Sequence, residues 1–217
     1  MEYSRQHPSP RYESLLRMYQ EMHVHGERHQ GIPAKKTFDG RSLAAQLGRI
    51  KRLIGQSQAG SVLDYGSGKG TQYDPRPISG EDGTEYDGVV DFWGVDDVTC
   101  FDPAYSPFSQ LPTGSFDAVI STDVLEHCPE EDIGWIVEEM FGYAEKFVFA
   151  VIACYPASKR LPNGENAHCT IRPPEWWNEY FTAAGLRHPG VKWEVWLQTA
   201  TQDGGKPVLR EQRIASG

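Results

Sequence analysis

Apolar residues recur at helical spacing in two segments near the start of the chain. The first segment begins at Ser9-Pro10, where a hydroxyl can cap a helix and proline fits its first turn, and it ends at Gly26. Its apolar positions are Tyr12, Leu15, Leu16, Tyr19 and Met22. A second helix, with Gly55 as its end, is predicted from Leu43, Leu47, Ile50 and Ile54. The chain is therefore expected to start with two helices.

Short apolar runs that follow are typical of strands buried in a parallel sheet. The runs are Val62–Leu63, Val98–Phe101, Phe116–Ser121 and Lys146–Cys154. Helices are predicted after the last two runs, one through Ile133, Ile136, Val137 and Met140 and one from Pro173-Pro174 to Gly185. Two closing strands, 191–197 and 208–214, are joined by a turn over 202–207. This order predicts an α/β fold in one domain.

Two segments interrupt that regular order. Residues 74–97 are rich in Gly, Asp and Pro and are interpreted as an irregular insertion, because Pro75 and Pro77 prevent a long helix there. Pro103, Pro107 and Pro112 leave little room for a helix after the second strand. We expect the N-terminal helices to help cover that side of the sheet.

Composition narrows the function classes. The 217 residues carry a net charge of −9, which argues against a nucleic-acid-binding surface. Four cysteines without C-x-x-C spacing suggest neither a zinc knuckle nor a redox pair, and the spacing of His23, His25 and His29 does not favour a metal site. The polar N-terminus and the lack of a long apolar run predict a cytoplasmic protein with no membrane partner.

The stretch Ser61–Gly70, SVLDYGSGKG, is the clearest functional motif. An apolar strand ends in Asp64, and Gly66, Gly68 and Gly70 then let the backbone turn tightly against a ligand. A dinucleotide fingerprint would need glycine where Thr71 stands. A surface turn that binds nothing is the alternative interpretation of this motif alone.

The order D-x-G-x-G-x-G, VTCFDP at Val98–Pro103 and FDAVISTDVLEH at Phe116–His127 resembles the class I S-adenosylmethionine-dependent methyltransferases. The resemblance covers roughly Ser61 to Leu186. It implies a Rossmann-like three-layer sandwich, with a mostly parallel seven-stranded sheet and an antiparallel last strand. It also implies that segment 1–57 is a helical lid on a core of 58–217; a layer that only covers the sheet is the alternative.

The resemblance implies a site for S-adenosylmethionine at the carboxyl ends of three strands. In this family the acid after the second strand accepts hydrogen bonds from the ribose hydroxyls, and Asp102 stands there. The implied cofactor-binding residues are Asp64, Gly66, Ser67, Gly68, Gly70, Asp102, Pro103, Thr122, Asp123 and Val124. The acid that often follows the third strand and contacts adenine is missing near Ser109–Leu111.

Two histidines are candidates for a catalytic base. His127 follows the third predicted strand, and the alternative role for it is to stabilise the turn. His168 lies in the long polar loop 155–174 at the ligand-binding edge, where the string LPNGENAH resembles a loop of bacterial and phage methyltransferases. His23 and Trp176 are further substrate-binding candidates, although adjacent tryptophans such as Trp176 and Trp177 often divide between core and surface.

The sequence therefore predicts an S-adenosylmethionine-dependent methyltransferase with a small-molecule acceptor, a sugar or another metabolite, methylated on oxygen or nitrogen. The alternatives are a protein or RNA methyltransferase and a non-catalytic cofactor-binding module. An acidic composition argues against the former, and the complete glycine motif with Asp102 argues against the latter. The oligomeric state is left open.

Overall fold

The structure is a computed structural model that describes residues 3–203 and 206–217. The α-helices are α1 (Pro10–His25), α2 (Arg41–Ala44), α3 (Leu47–Ser57), α4 (Val89–Trp93), α5 (Ile133–Tyr143) and α6 (Pro174–Arg187). The strands are β1 (Ser61–Tyr65), β2 (Ile78–Ser79), β3 (Glu85–Tyr86), β4 (Asp97–Phe101), β5 (Phe116–Thr122), β6 (Ala144–Ala153), β7 (Lys192–Asp203) and β8 (Lys206–Ala215). The chain thus has a mixed α/β fold.

The main sheet has the strand order β4-β1-β5-β6-β7-β8. Its first five strands are parallel and β8 pairs antiparallel with β7, which confirms the predicted antiparallel last strand. Six strands form this sheet in the described residues, where the sequence predicted seven. Segment 102–115, with its three prolines, contains only a 3-10 turn at Ser106–Phe108. In the predicted turn over 202–207, residues 204 and 205 lie outside the described residues.

Alternate side chains of the strands face two separate cores. On one face, Leu63 and Val119 pack with α5 and α6, whose buried residues include Phe141 and Trp177. Val62 and its neighbours on the other face pack with α3 and α4. The sheet is buried on both faces because its strands are apolar at successive positions.

Two predicted segments fold differently from the expectation. The second N-terminal helix is divided into α2 and α3 and ends at Gln58 in a left-handed conformation, three residues after Gly55. The proposed irregular insertion at 74–97 contains the β2-β3 hairpin and α4. Trp93 and Val89 of α4 are buried against α3. This short helix therefore packs on the side of the sheet where the prolines prevent a long helix.

Helix α1 is anchored at both ends. Ser9 caps its first turn by accepting a hydrogen bond from the amide of Tyr12, and it also donates its own amide and hydroxyl hydrogens to the Asp132 carboxylate. Leu15 and Met22 pack with residues of the loop after β6. This packing places α1 over the carboxyl ends of the strands.

Candidate functional site

A cavity of about 590 Å³ lies at the carboxyl ends of β1, β4 and β5. This volume is in the range of small-molecule sites, about 300–1,000 Å³. Strand β1 lies between β4 and β5, so the chain passes to opposite sides of β1 at this edge. Open parallel sheets bind ligands at such a switch point. The cavity is therefore the candidate functional site.

The turn after β1 forms one wall of the cavity. The amides of Gly66 and Ser67 donate to the carbonyl of Phe101 at 2.7 and 3.1 Å, so the turn is bound to the end of β4. Gly66 has φ +87°, and a Cβ atom there would lie 2.6 Å from Val124 Cγ1. Only glycine fits this position, because both the backbone angle and the adjacent side chain exclude a Cβ.

Gly68 has the same requirement from the opposite side. Its φ is +59°, and a Cβ atom would lie 2.8 Å from the carbonyl oxygen of Phe38. Gly70 differs: it does not line the cavity and packs against Phe108 and Cys100. Of the three predicted cofactor glycines, two border the cavity and Gly70 stabilises the turn from behind.

Two carboxylates, Asp64 (buried) and Asp102 (half-buried), face the cavity from the ends of β1 and β4. Asp64 Oδ2 accepts hydrogen bonds from Gln72 Nε2 and the Tyr73 hydroxyl, each at 2.9 Å. Asp102 accepts the amides of Ala104 at 2.8 Å and Gly68 at 2.9 Å on different oxygens. Burial raises the pKa of each acid to about 6, although these hydrogen bonds oppose the shift.

The turn after β5 brings Thr122, Asp123 and Val124 to the cavity, and Pro103 reaches it from the end of β4. Asp123 has φ +55°, a left-handed conformation that is unusual for a residue other than glycine. Burial raises the pKa of its carboxyl, and the positive charge of Lys159 opposes that shift. Backbone strain of this kind is concentrated at functional sites.

His127 lies deep in the opposite wall. Its Nδ1 is 2.9 Å from the carbonyl oxygen of Ala167 and 3.0 Å from the hydroxyl of Tyr19. A carbonyl only accepts, so Nδ1 carries the proton and Nε2 is the unprotonated nitrogen. Burial, with a smaller contribution from the nearby His168, lowers the pKa of His127 to about 3.

His168 lies beside His127, with ring centroids 4.8 Å apart and nearly perpendicular planes. Its Nδ1 lies 2.6 Å from the carbonyl oxygen of Tyr155, so its Nε2 is likewise unprotonated. Burial lowers the pKa of His168, and the hydrogen bond to Tyr155 opposes that shift. The structure brings both predicted base candidates to one wall as neutral imidazoles.

His23, at the end of α1, reaches the cavity from above. Its ring packs between Phe38 and Tyr105, with centroid distances of 4.9 and 5.0 Å. Nε2 lies 4.0 Å from Asp102 Oδ2, too far for a direct hydrogen bond. Burial lowers the pKa of His23 to about 4, so the ring is neutral at neutral pH. His23, which the sequence predicts as a substrate-binding residue, therefore lies on the acidic side of the cavity.

Trp176 is the predicted substrate residue that the structure places elsewhere. It is half-buried on α6, with its ring 4.8 Å from Trp177 and 4.6 Å from Tyr180, and it does not line the cavity. Trp177 is fully buried in the core. The two tryptophans thus divide between core and surface because successive helical positions point in different directions.

Lys69 is a functional residue that sequence reasoning missed. Its ammonium donates to the carbonyls of His23, Ala34 and Thr37 at 3.2, 2.5 and 3.1 Å. These carbonyls belong to the end of α1 and the segment after it. In the sequence, this residue could be noticed only as a lysine inside a glycine turn. In the structure, the amide and the side chain of Lys69 both form hydrogen bonds with residues 23–38. Through Lys69 the glycine turn holds in place the segment 23–38, which we call the cover.

Three further cavity residues had no usable signal in the sequence. Tyr19 was assigned only to the apolar face of α1, and Phe38 lies in a segment without a motif. Lys159 lies in the long polar loop 155–174, where no pattern distinguished it from its neighbours. Tyr19 packs on His127 at 5.5 Å and on Phe38 at 5.9 Å, and Lys159 Nζ lies 5.3 Å from the Phe38 ring. They form one continuous wall although they are far apart in the chain.

Several polar groups of the cavity are available to a ligand. Gln72 Oε1 and His23 Nδ1 are buried polar atoms without a hydrogen-bond partner among the described residues, and both residues line the cavity. Asp64 and Asp102 supply negative charge suited to a cationic ligand, and the carboxylate of Asp102 retains acceptor capacity for hydroxyls. A ligand with hydroxyl donors and a positive charge would satisfy this wall.

The described residues hold neither a metal-binding cluster nor a helix that could span a membrane. No group of three or more histidine, cysteine or acidic side chains there could hold a metal ion. In the same part of the chain, every helix is too short or too polar to cross a membrane.

No protein-family model, curated protein or solved structure matches this chain at a significant level.

Proposed function

We propose that this chain is an S-adenosylmethionine-dependent methyltransferase with a Rossmann-like three-layer core, acting on oxygen or nitrogen of a small-molecule acceptor. One observation carries the proposal: the glycine turn, two carboxylates and a pair of neutral histidines border one cavity at the switch point of the sheet. The carboxylates suit the cofactor, and the histidines suit removal of a proton from the acceptor.

The residues of the cavity divide into two roles. Asp102, oriented by two backbone amides, would hold the ribose hydroxyls, and Gly66 and Gly68 permit the close approach of the cofactor. When bound, S-adenosylmethionine supplies an electrophilic methyl group on a sulfonium. The protein then has to position the acceptor and exclude water, which can supply about 7–11 kcal/mol of the barrier.

The two histidines are not equivalent as bases. A general base works best with a pKa near the operating pH, and a pKa of about 3 makes His127 a weak base. His168 has the less perturbed pKa and lies in the loop that follows β6. We therefore assign proton removal to His168 and orientation of the acceptor to His127.

Isothermal titration calorimetry with S-adenosylmethionine, S-adenosylhomocysteine and NADH tests the cofactor. We expect micromolar binding of the first two and none of NADH, because Thr71 replaces the glycine of a dinucleotide fingerprint. Binding of NADH alone would overturn the proposal.

A transfer assay tests turnover. Protein is incubated with methyl-labelled S-adenosylmethionine and, in separate reactions, with pooled small metabolites, total RNA or a protein extract. Label is expected in the small-molecule fraction. Label in RNA or protein would mean that the acceptor is RNA or protein and not a small molecule. Binding without any transfer would favour a non-catalytic module.

A further inference from the structure

The wall around the two histidines is aromatic and apolar. Leu15 and Tyr19 of α1 and Phe38 of the cover line the cavity there, and they pack together with the segment that carries Ala167. Ring contacts run without interruption from His168 to His127, to Tyr19 and then to Phe38. A flat aromatic molecule can pack its ring against such a run of rings.

Lys159 supplies a positive charge at this wall. Its Nζ lies 5.3 Å from the centroid of the Phe38 ring, and the side chain lines the cavity. Among the residues that the structure describes, Lys159 forms no ion pair with a carboxylate within 4.0 Å. Asp123 lines the same cavity; the charge of Lys159 opposes the rise in its pKa that burial causes, and it adds to the lowering of the pKa of His127 and of His168. Its field therefore reaches both imidazoles.

A neutral base with a cation nearby affects the methylation of a hydroxyl oxygen and of an amine nitrogen differently. A hydroxyl that loses its proton becomes an anion, which an adjacent ammonium stabilises. An amine nucleophile is neutral before reaction and becomes positive as it is methylated, so the same ammonium would oppose it. Lys159 therefore favours oxygen over nitrogen.

We propose that the acceptor is an aromatic hydroxyl compound methylated on oxygen, with His168 accepting the hydroxyl proton and Lys159 stabilising the resulting oxygen anion. This inference rests on the proposed function. The acceptor oxygen gives its proton to Nε2 of His168 and forms the new O–C bond as the C–S bond of the donor breaks, with the electron pair of that bond remaining on sulfur. The imidazolium of His168 then releases its proton to solvent.

The first experiment uses 4-nitrophenol, whose ionised form absorbs visible light, with protein saturated with S-adenosylhomocysteine. The bound probe should ionise at lower pH than the free probe. Lys159→Met should remove about 1 to 3 pH units of that shift, and Lys159→Arg should retain most of it. Lys35→Met, an exposed change in the cover away from the cavity, should match the wild type. An unshifted bound probe, or equal shifts in Lys159→Met and wild type, would overturn the proposal.

The second experiment compares 2-naphthol, 2-naphthylamine and methyl glucoside as acceptors of labelled methyl. Transfer to naphthol is expected. The inference is contradicted if methyl is transferred preferentially to the amine or the glucoside. It is also contradicted if the phenols show neither binding nor transfer. In both cases the proposed function stands as long as S-adenosylhomocysteine binds. If S-adenosylhomocysteine does not bind in calorimetry, the proposed function itself fails.

Discussion

The two ends of the cavity respond to burial in opposite ways. At the glycine-turn end, burial raises the pKa of Asp64 and Asp102 to about 6. At the histidine end, the same cause lowers the pKa of His127 to about 3 and also lowers that of His168. Desolvation disfavours the charged form of any group, so acids and bases shift in opposite directions.

The consequence is a division of chemistry within one cavity. Near neutral pH the glycine-turn end carries negative charge, whereas the histidine end presents neutral nitrogen acceptors beside Lys159. The first end suits a cation with hydroxyl groups, and the second suits an acceptor that loses a proton. Changes at one end should therefore alter cofactor binding, and changes at the other should alter turnover.

Gly66→Val is expected to have the largest effect, loss of detectable S-adenosylmethionine binding in calorimetry. The new side chain would overlap Val124 and also require φ +87°. Gly114→Val is the matched control, because Gly114 has φ +83° but no neighbouring atom within 4 Å of its Cβ position. Circular dichroism shows whether each variant folds. A folded Gly66→Val protein with unchanged affinity would contradict the assignment of this end.

His168→Ala should lower kcat by about 10²–10⁴, the effect of losing a positioned base, while cofactor affinity stays nearly unchanged. The acid limb of kcat/KM in the wild type should lie below the ordinary histidine pKa, since burial lowers the pKa of His168. The activity of the wild type is then lost as pH falls through that lowered value.

His127→Gln serves as the comparison for His168. The substitution retains polar groups but removes the imidazole that lies at 2.9 Å from the Ala167 carbonyl. A smaller loss of kcat than in His168→Ala is expected, with a raised KM for the acceptor. If His168→Ala retains full turnover and His127→Gln does not, the base is His127.

Asp102→Ala should weaken cofactor binding by about 1–3 kcal/mol, the scale of charge-assisted hydrogen bonds. Asp97→Ala is its control, because Asp97 begins the same strand β4 at the opposite edge and is exposed. The affinities of adenosine and 2′-deoxyadenosine, measured with the wild type and with Asp102→Ala, show whether the lost binding free energy comes from the contact with the ribose. Equal discrimination between the two nucleosides in wild type and Asp102→Ala would remove Asp102 from that role.

The smallest expected effect is a dependence of cofactor affinity on pH. Asp64 and Asp102, with pKa values of about 6, become protonated as pH falls from 7.5 to 5 and lose their attraction for a cation. Affinity should fall by about tenfold for each carboxylate that must be ionised. Calorimetry in buffers of different ionisation enthalpy should show proton release on binding near pH 6. Affinity that is constant over this range would contradict the electrostatic difference between the two ends.

The glycine-turn end was predictable because its residues follow strands directly in the sequence. Asp64, Asp102 and the turn at 122–124 stand at the ends of apolar runs, and the ends of parallel strands meet at one edge. The exceptions come from packing. Gly70 packs toward Phe108, and the prolines between β4 and β5 leave no further strand in segment 102–115, so that the described residues form a main sheet of six strands.

The histidine end was only half visible in the sequence. The motif and the long loop identified His127 and His168, but no periodicity showed that Tyr19 would hold His127 or that Lys159 would lie over Phe38. Trp176 was predicted at this site and lies on α6 instead. Contacts among residues from different elements depend on how those elements pack, which local patterns do not encode.

By itself, the sequence determined the order of the main-sheet strands and the places of the longer helices, because these follow from hydrophobic runs and from glycine and proline chemistry. The resemblance to a known family added the antiparallel last strand and the role expected of Asp102. Only the tertiary structure decided which nitrogen of each histidine carries the proton, which side chains surround the pair, and how Lys69 holds the cover. These depend on hydrogen bonds and burial between segments far apart in the chain, such as the contact of Tyr19 with Ala167.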